Sequence, residues 1–121
     1  MANDNNVTNP LDSQTGVHFS QSEEKAAFVD VRCNLVKLLY LIEDEQNGKG
    51  DAELWLFGFI VDLASANTLC GGKLTKVLVK IHALMDNKYQ YKTMTHAQIK
   101  RQIMESKGIL DHLIGDKPKK K

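Results

Sequence analysis

Apolar residues return along this chain at steps of three and four, in stretches separated by glycine pairs and polar runs, which predicts amphipathic helices rather than strands. Phe28, Val31, Leu35, Leu38 and Ile42 define the first stripe. Val29, Val36 and Leu39 widen it, and Asp30, Asn34, Lys37 and Asp44 line the opposite side. Ser20 and Glu23 have the spacing of a capping box, so this helix is expected to start near Ser20. Asn47-Gly48-Lys49-Gly50 should end it, because two glycines in four residues favour left-handed turn geometry over another helical turn.

Asp51 is then placed to cap a second helix. The run from Leu54 to Ala64 is apolar almost all round, but positions 51, 55, 58, 62 and 65 carry Asp, Trp, Gly, Asp and Ser. That stripe is the expected outward face. It sets Trp55 beside Gly58 and Asp62, a large flat ring next to a missing side chain, and makes these three residues the candidate interface for another helix. Asp62 on this face reads as an ordinary solvated carboxylate. The apolar run is about half the roughly 20 residues that a membrane span needs, with Asp51 and Glu53 before it and Asp62 inside it, so no membrane contact is expected.

Asn67 to Gly72 form the next break. Leu74, Val77, Leu78, Ile81, Leu84 and Met85 supply a third apolar face, with Lys73, Lys76 and Lys80 on the other side. Residues 87–94 have no helical period and read as a connection, briefly extended where Tyr89, Tyr91 and Thr93 alternate. Thr95 and Gln98 repeat the capping-box spacing and open a fourth helix through Ile99, Ile103, Leu110 and Leu113. Ser106 interrupts that stripe and Gly108 weakens it, which predicts a kink or two short helices. Gly115 and Pro118 should end it.

The fold class expected from this pattern is all-α: a small antiparallel bundle of about four helices. Residues 20–115 form its single domain. Residues 1–19 are too polar to offset the entropy of ordering and read as a disordered tail, with no basic start and apolar stretch of a signal peptide. Residues 116–121 read as a short basic tail.

Charge changes the picture. The net charge is only +1, but residues 1–72 hold four basic groups against eleven acidic ones, a balance of −7, and residues 73–121 hold twelve against four, a balance of +8. Such asymmetry points either to a polyanionic partner for the basic half or to two halves that fold onto each other. Lys117, Lys119, Lys120 and Lys121 supply half of the +8, so the folded part is modestly positive. Complementary packing plus a basic tail is the expected outcome.

Candidate chemistry adds little. Cys70-Gly-Gly-Lys-Leu-Thr75 has the end of a phosphate loop, but Asn67 stands where its first Gly belongs and Leu74 where Ser or Thr is required. Residues 43–54 resemble a calcium loop with Gly48 at the sharp turn, yet position twelve is Leu54 instead of a bidentate carboxylate, which leaves a solvated acidic turn. His18, His82, His96 and His112 lack metal-ligand spacing. Cys33 and Cys70, far apart and among apolar neighbours, read as buried free thiols of a reducing cytoplasm rather than as a disulfide or a nucleophile.

The basic half offers one alternative. Its last two helices resemble a helix-turn-helix, but a connection of about seven residues is too long for that motif. Tyr89 and Tyr91 between Lys88 and Lys92 are candidates to stack unpaired bases, and Lys73, Lys76, Lys80, Lys100 and Arg101 to track phosphates. The expectation is therefore a cytoplasmic, non-enzymatic adaptor or regulator without cofactor or small-molecule substrate, acting through protein contacts as a homodimer. The alternative is a nucleic-acid-binding regulator.

Overall fold

Ser20 opens the first helix through both halves of the capping box: its hydroxyl accepts from the Glu23 amide, and the Glu23 carboxylate accepts from the Ser20 amide. A computed structural model of the protein describes residues 18–115. The polar tail to residue 17 and the basic tail from 116 lie outside the described residues. Helix α1 spans Gln21–Gln46, α2 Glu53–Leu69, α3 Thr75–His82, α4 Asp86–Tyr89 and α5 His96–Ile114, with a 3-10 turn at Gln90–Thr93 between the last two. The protein is all-helical, with five helices and no strand among the described residues.

Helix α1 buries Phe28, Val31, Leu35, Leu38, Leu39 and Ile42, and α5 buries Ile99, Ile103, Ser106 and Leu110. These two helices pack along each other in opposite directions, since Arg32 pairs with Asp111 and Glu43 with His96. Leu56, Phe59, Ile60 and Leu63 of α2, and Leu74, Val77, Ile81 and Leu84 in and beside α3, complete one continuous core. Phe19 packs on its edge, and its amide donates to the Leu69 carbonyl at 2.9 Å.

The turns follow from local chemistry. Gly48 takes φ +79°, a left-handed value that β-carbon sterics make costly for other residues. Ala52 rather than Asp51 is the N-cap of α2 and has no side-chain cap; the Asp51 carboxylate, one residue earlier, accepts from the Glu53 amide at 2.8 Å. Helix α2 runs further than the break at Asn67 implied. Asn67 lies inside it, where its side-chain oxygen accepts from the Leu74 amide and its amide donates to the Thr75 hydroxyl, tying the end of α2 to the start of α3.

Two expectations about the second half are corrected. The connection is not extended: Asn87, Lys88 and Tyr89 take φ of +53°, +60° and +69°, and the 3-10 turn comes directly after them. Left-handed geometry costs about 1–2 kcal/mol per residue. The turn is held by the burial of Tyr91 beyond it, together with the Tyr91 amide donating to the Leu84 carbonyl at 2.9 Å. Helix α5 is continuous rather than kinked, because the buried Ser106 hydroxyl donates to the Gln102 carbonyl and Gly108 falls on the exposed side.

Candidate functional site

The outward face of α2 is wider than its sequence implied. Gly58 and Asp62 are exposed as expected, but Trp55 is half-buried: its ring lies 5.3 Å from that of Phe59, and the Lys37 ammonium sits 5.6 Å from its centroid. The exposed apolar groups are Leu54, Phe57 and Val61, at 82%, 49% and 51% exposure. With Gly58 they form a stripe at helical spacing. A β-carbon built on Gly58 would meet nothing within 4 Å, so the glycine leaves open space on this face rather than relieving a clash inside the monomer. Between the stripe and α1, Asn34, Lys37, Trp55 and Asp62 line a shallow cavity of about 360 Å³.

A larger groove runs between α3 and α5. It has a volume of about 960 Å³ and is lined by Lys73, Lys76 and Lys80 on one side and by Ile109, His112 and Leu113 on the other. The structure therefore brings three of the candidate basic residues together. Arg101 lies on the same helical row of α5 as Glu105, Gly108 and His112, whereas Lys100 sits one step round the helix, and both are exposed. Lys73 pairs with Glu24 at 2.9 Å and Lys80 with Glu105 at 3.1 Å. Lys76 has no ion pair among the described residues.

The aromatic candidates separate. Tyr91 is 1% exposed, so it is not available to stack a base. Its hydroxyl donates to the Glu45 carboxylate at 2.5 Å, and the same carboxylate oxygen accepts from the Ala52 amide at 2.8 Å. Burial and the neighbouring Glu45 charge push the Tyr91 phenol far above its ordinary pKa. Tyr89 is half-buried and meets Tyr91 edge-on, with centroids 6.2 Å apart.

The acidic turn is not simply solvated. Besides the Glu45 contacts, Lys92 pairs with Glu53, and the His96 ring nitrogen lies 2.5 Å from a Glu43 carboxylate oxygen. At the other end of the α1–α5 contact, Asp111 accepts from Arg32 at 2.9 Å and Lys107 at 3.2 Å. Burial would raise its pKa, but these two cations outweigh burial and hold it below the usual carboxylate range. Pairs such as Glu24–Lys73 and Glu53–Lys92 join the acidic half of the chain to the basic half.

Both cysteines are free thiols, but only Cys70 is buried. Cys33 is exposed because it shares the solvated side of α1 with Asp30 and Lys37, at helical steps of three and four. Among the described residues, no group of three or more His, Cys, Asp or Glu side chains is placed to hold a metal ion. None of the described helices is long and apolar enough to cross a membrane.

The chain matches no protein-family model, no curated protein and no solved structure. Function must therefore be inferred from its surfaces.

Proposed function

We propose that this protein is a non-enzymatic contact module, a small antiparallel helical bundle that self-associates through α2 as a cytoplasmic homodimer and serves as an adaptor or regulator. The observation that carries this reading is the exposed stripe of Leu54, Phe57 and Val61. Three large apolar side chains on consecutive turns lower the free energy when a second surface covers them, at roughly 25 cal/mol per Å² of apolar area removed from water. Gly58 within the stripe allows a facing helix to approach closely. The same patch meeting itself across a two-fold axis gives a closed dimer rather than an open chain of subunits. Two free thiols suit the reducing compartment.

Sedimentation of the whole protein at micromolar concentration tests the reading, with a dimer expected. Val61→Glu places a charge in the proposed contact but leaves the core untouched, so it should give a folded, helical monomer whose melting temperature no longer depends on protein concentration. A wild-type monomer, or a dimer indifferent to Val61→Glu, would overturn the proposal. Trp55→Ala is a less selective probe, because Trp55 also packs between Lys37 and Phe59.

The alternative, a nucleic-acid-binding regulator, retains exposed Lys76, Lys100 and Arg101 but loses Tyr91 to the core. Its mark would be binding to a polyanion that weakens steeply as salt rises.

A further inference from the structure

The groove between α3 and α5 shares no residue with the α2 stripe and has a different chemistry. Ile109 and Leu113 give it an apolar floor. Gly108 keeps the α5 wall low, since a β-carbon there would meet nothing within 4 Å. Lys73, Lys76 and Lys80 against Glu105 make its rim basic. Glu24 and Glu105 partly neutralise Lys73 and Lys80, which leaves Lys76 as the rim cation without an ion pair among the described residues.

From these features we propose that the groove is a docking site for an acidic amphipathic helix of a partner protein. Helix α3 has eight residues and is about 12 Å long, enough to lie beside two turns of a ligand helix. Apolar side chains at i, i+3 or i+4, and i+7 of that helix rest on Ile109 and Leu113, and its flanking carboxylates face Lys76 and the neighbouring lysines. The groove is open to solvent, which suits a ligand whose outer face stays in water. A single acyl chain in the same place would keep one side wet, and a nucleic-acid strand would set phosphates over the apolar floor and beside Glu105.

Fluorescence anisotropy of the full chain with a labelled synthetic helix, carrying Leu at every third or fourth position and Glu on both flanks, tests the proposal. The acidic peptide should bind, more weakly as salt rises, and the same peptide with Lys replacing Glu should not. Gly108→Leu fills the groove at an exposed helical position where the fold has room and should raise helix propensity. It should weaken binding by roughly tenfold or more while leaving the melting temperature equal or higher and the native mass unchanged. Lys76→Glu should weaken binding in the same direction. No binding by the acidic peptide, or binding unaffected by both variants, overturns the proposal. So does a groove that takes a dispersed fatty acid or a single-stranded oligonucleotide in preference to the peptide. Because Gly108→Leu leaves the α2 stripe intact, loss of this site and loss of self-association are separate results.

Discussion

Tyr91 and Glu45 show how one side-chain pair can fix a turn that its own residues disfavour. The three left-handed residues before the 3-10 turn have no glycine among them, so contacts elsewhere must offset the strain. The Tyr91 ring fills the core and its hydroxyl meets a carboxylate that already accepts from the Ala52 amide. That single carboxylate joins the end of α1, the entry to α2 and the 3-10 turn. Tyr91→Phe keeps the ring but removes the donor. It should cost about 1–3 kcal/mol in urea unfolding, towards the lower end because Glu45 keeps the Ala52 amide. A loss within error would mean that the hydroxyl contact contributes nothing to holding the turn.

Among the elements, α1 and α5 were legible in sequence because their signals are local: a capping box at each start, a stripe at steps of three and four, and Gly115 in left-handed geometry at the end of α5. Helix α2 was legible as a helix, and Asp51, Gly58, Asp62 and Ser65 of its expected outward stripe are exposed. When a run is apolar almost all round, the few polar positions are the only guide to its phase, and they do not show how wide the exposed face is. The core takes Leu56, Phe59, Ile60 and Leu63, Trp55 lies half-buried near Lys37 of α1, and the exposed face also includes Leu54, Phe57 and Val61. Neighbours in sequence misled at Cys33, because Val31 and Leu35, two positions away on either side, lie on the buried face of α1 while Cys33 is exposed. In α5, Gly108 weakens a helix without breaking it. Its φ is not in the left-handed range and the space around it is open, so Gly108→Ala should stabilise the protein by about 0.5–1 kcal/mol, read as a higher melting temperature. A lower melting temperature would mean that the glycine serves packing.

At the scale of the whole molecule, the −7 and +8 halves of the chain are matched across the fold by pairs such as Glu24–Lys73 and Glu53–Lys92, with Arg32–Asp111 in the opposite sense. The asymmetry was visible in sequence, but the partners were not, because they lie 39 to 79 residues apart. Individually such exposed pairs contribute little, typically about 0–1 kcal/mol. Together they set which helix faces which and remove Lys73 and Lys92 from the pool of unpaired cations. The surface is left with an apolar stripe on α2 and a basic-rimmed groove between α3 and α5. The groove was not legible beforehand, since it needs Ile109 and Leu113 of α5 opposite Lys76 and Lys80 of α3 and Lys73 of the turn before it.

Self-association through α2 is tested most directly by cross-linking in a Cys33→Ser background, which removes the exposed thiol and keeps the buried Cys70. Val61→Cys, one turn from Gly58, should form a disulfide dimer under mild oxidation, and Asp30→Cys on the solvated side of α1 should not. Equal cross-linking at both positions, or none at position 61, would contradict the proposal that α2 meets its own copy.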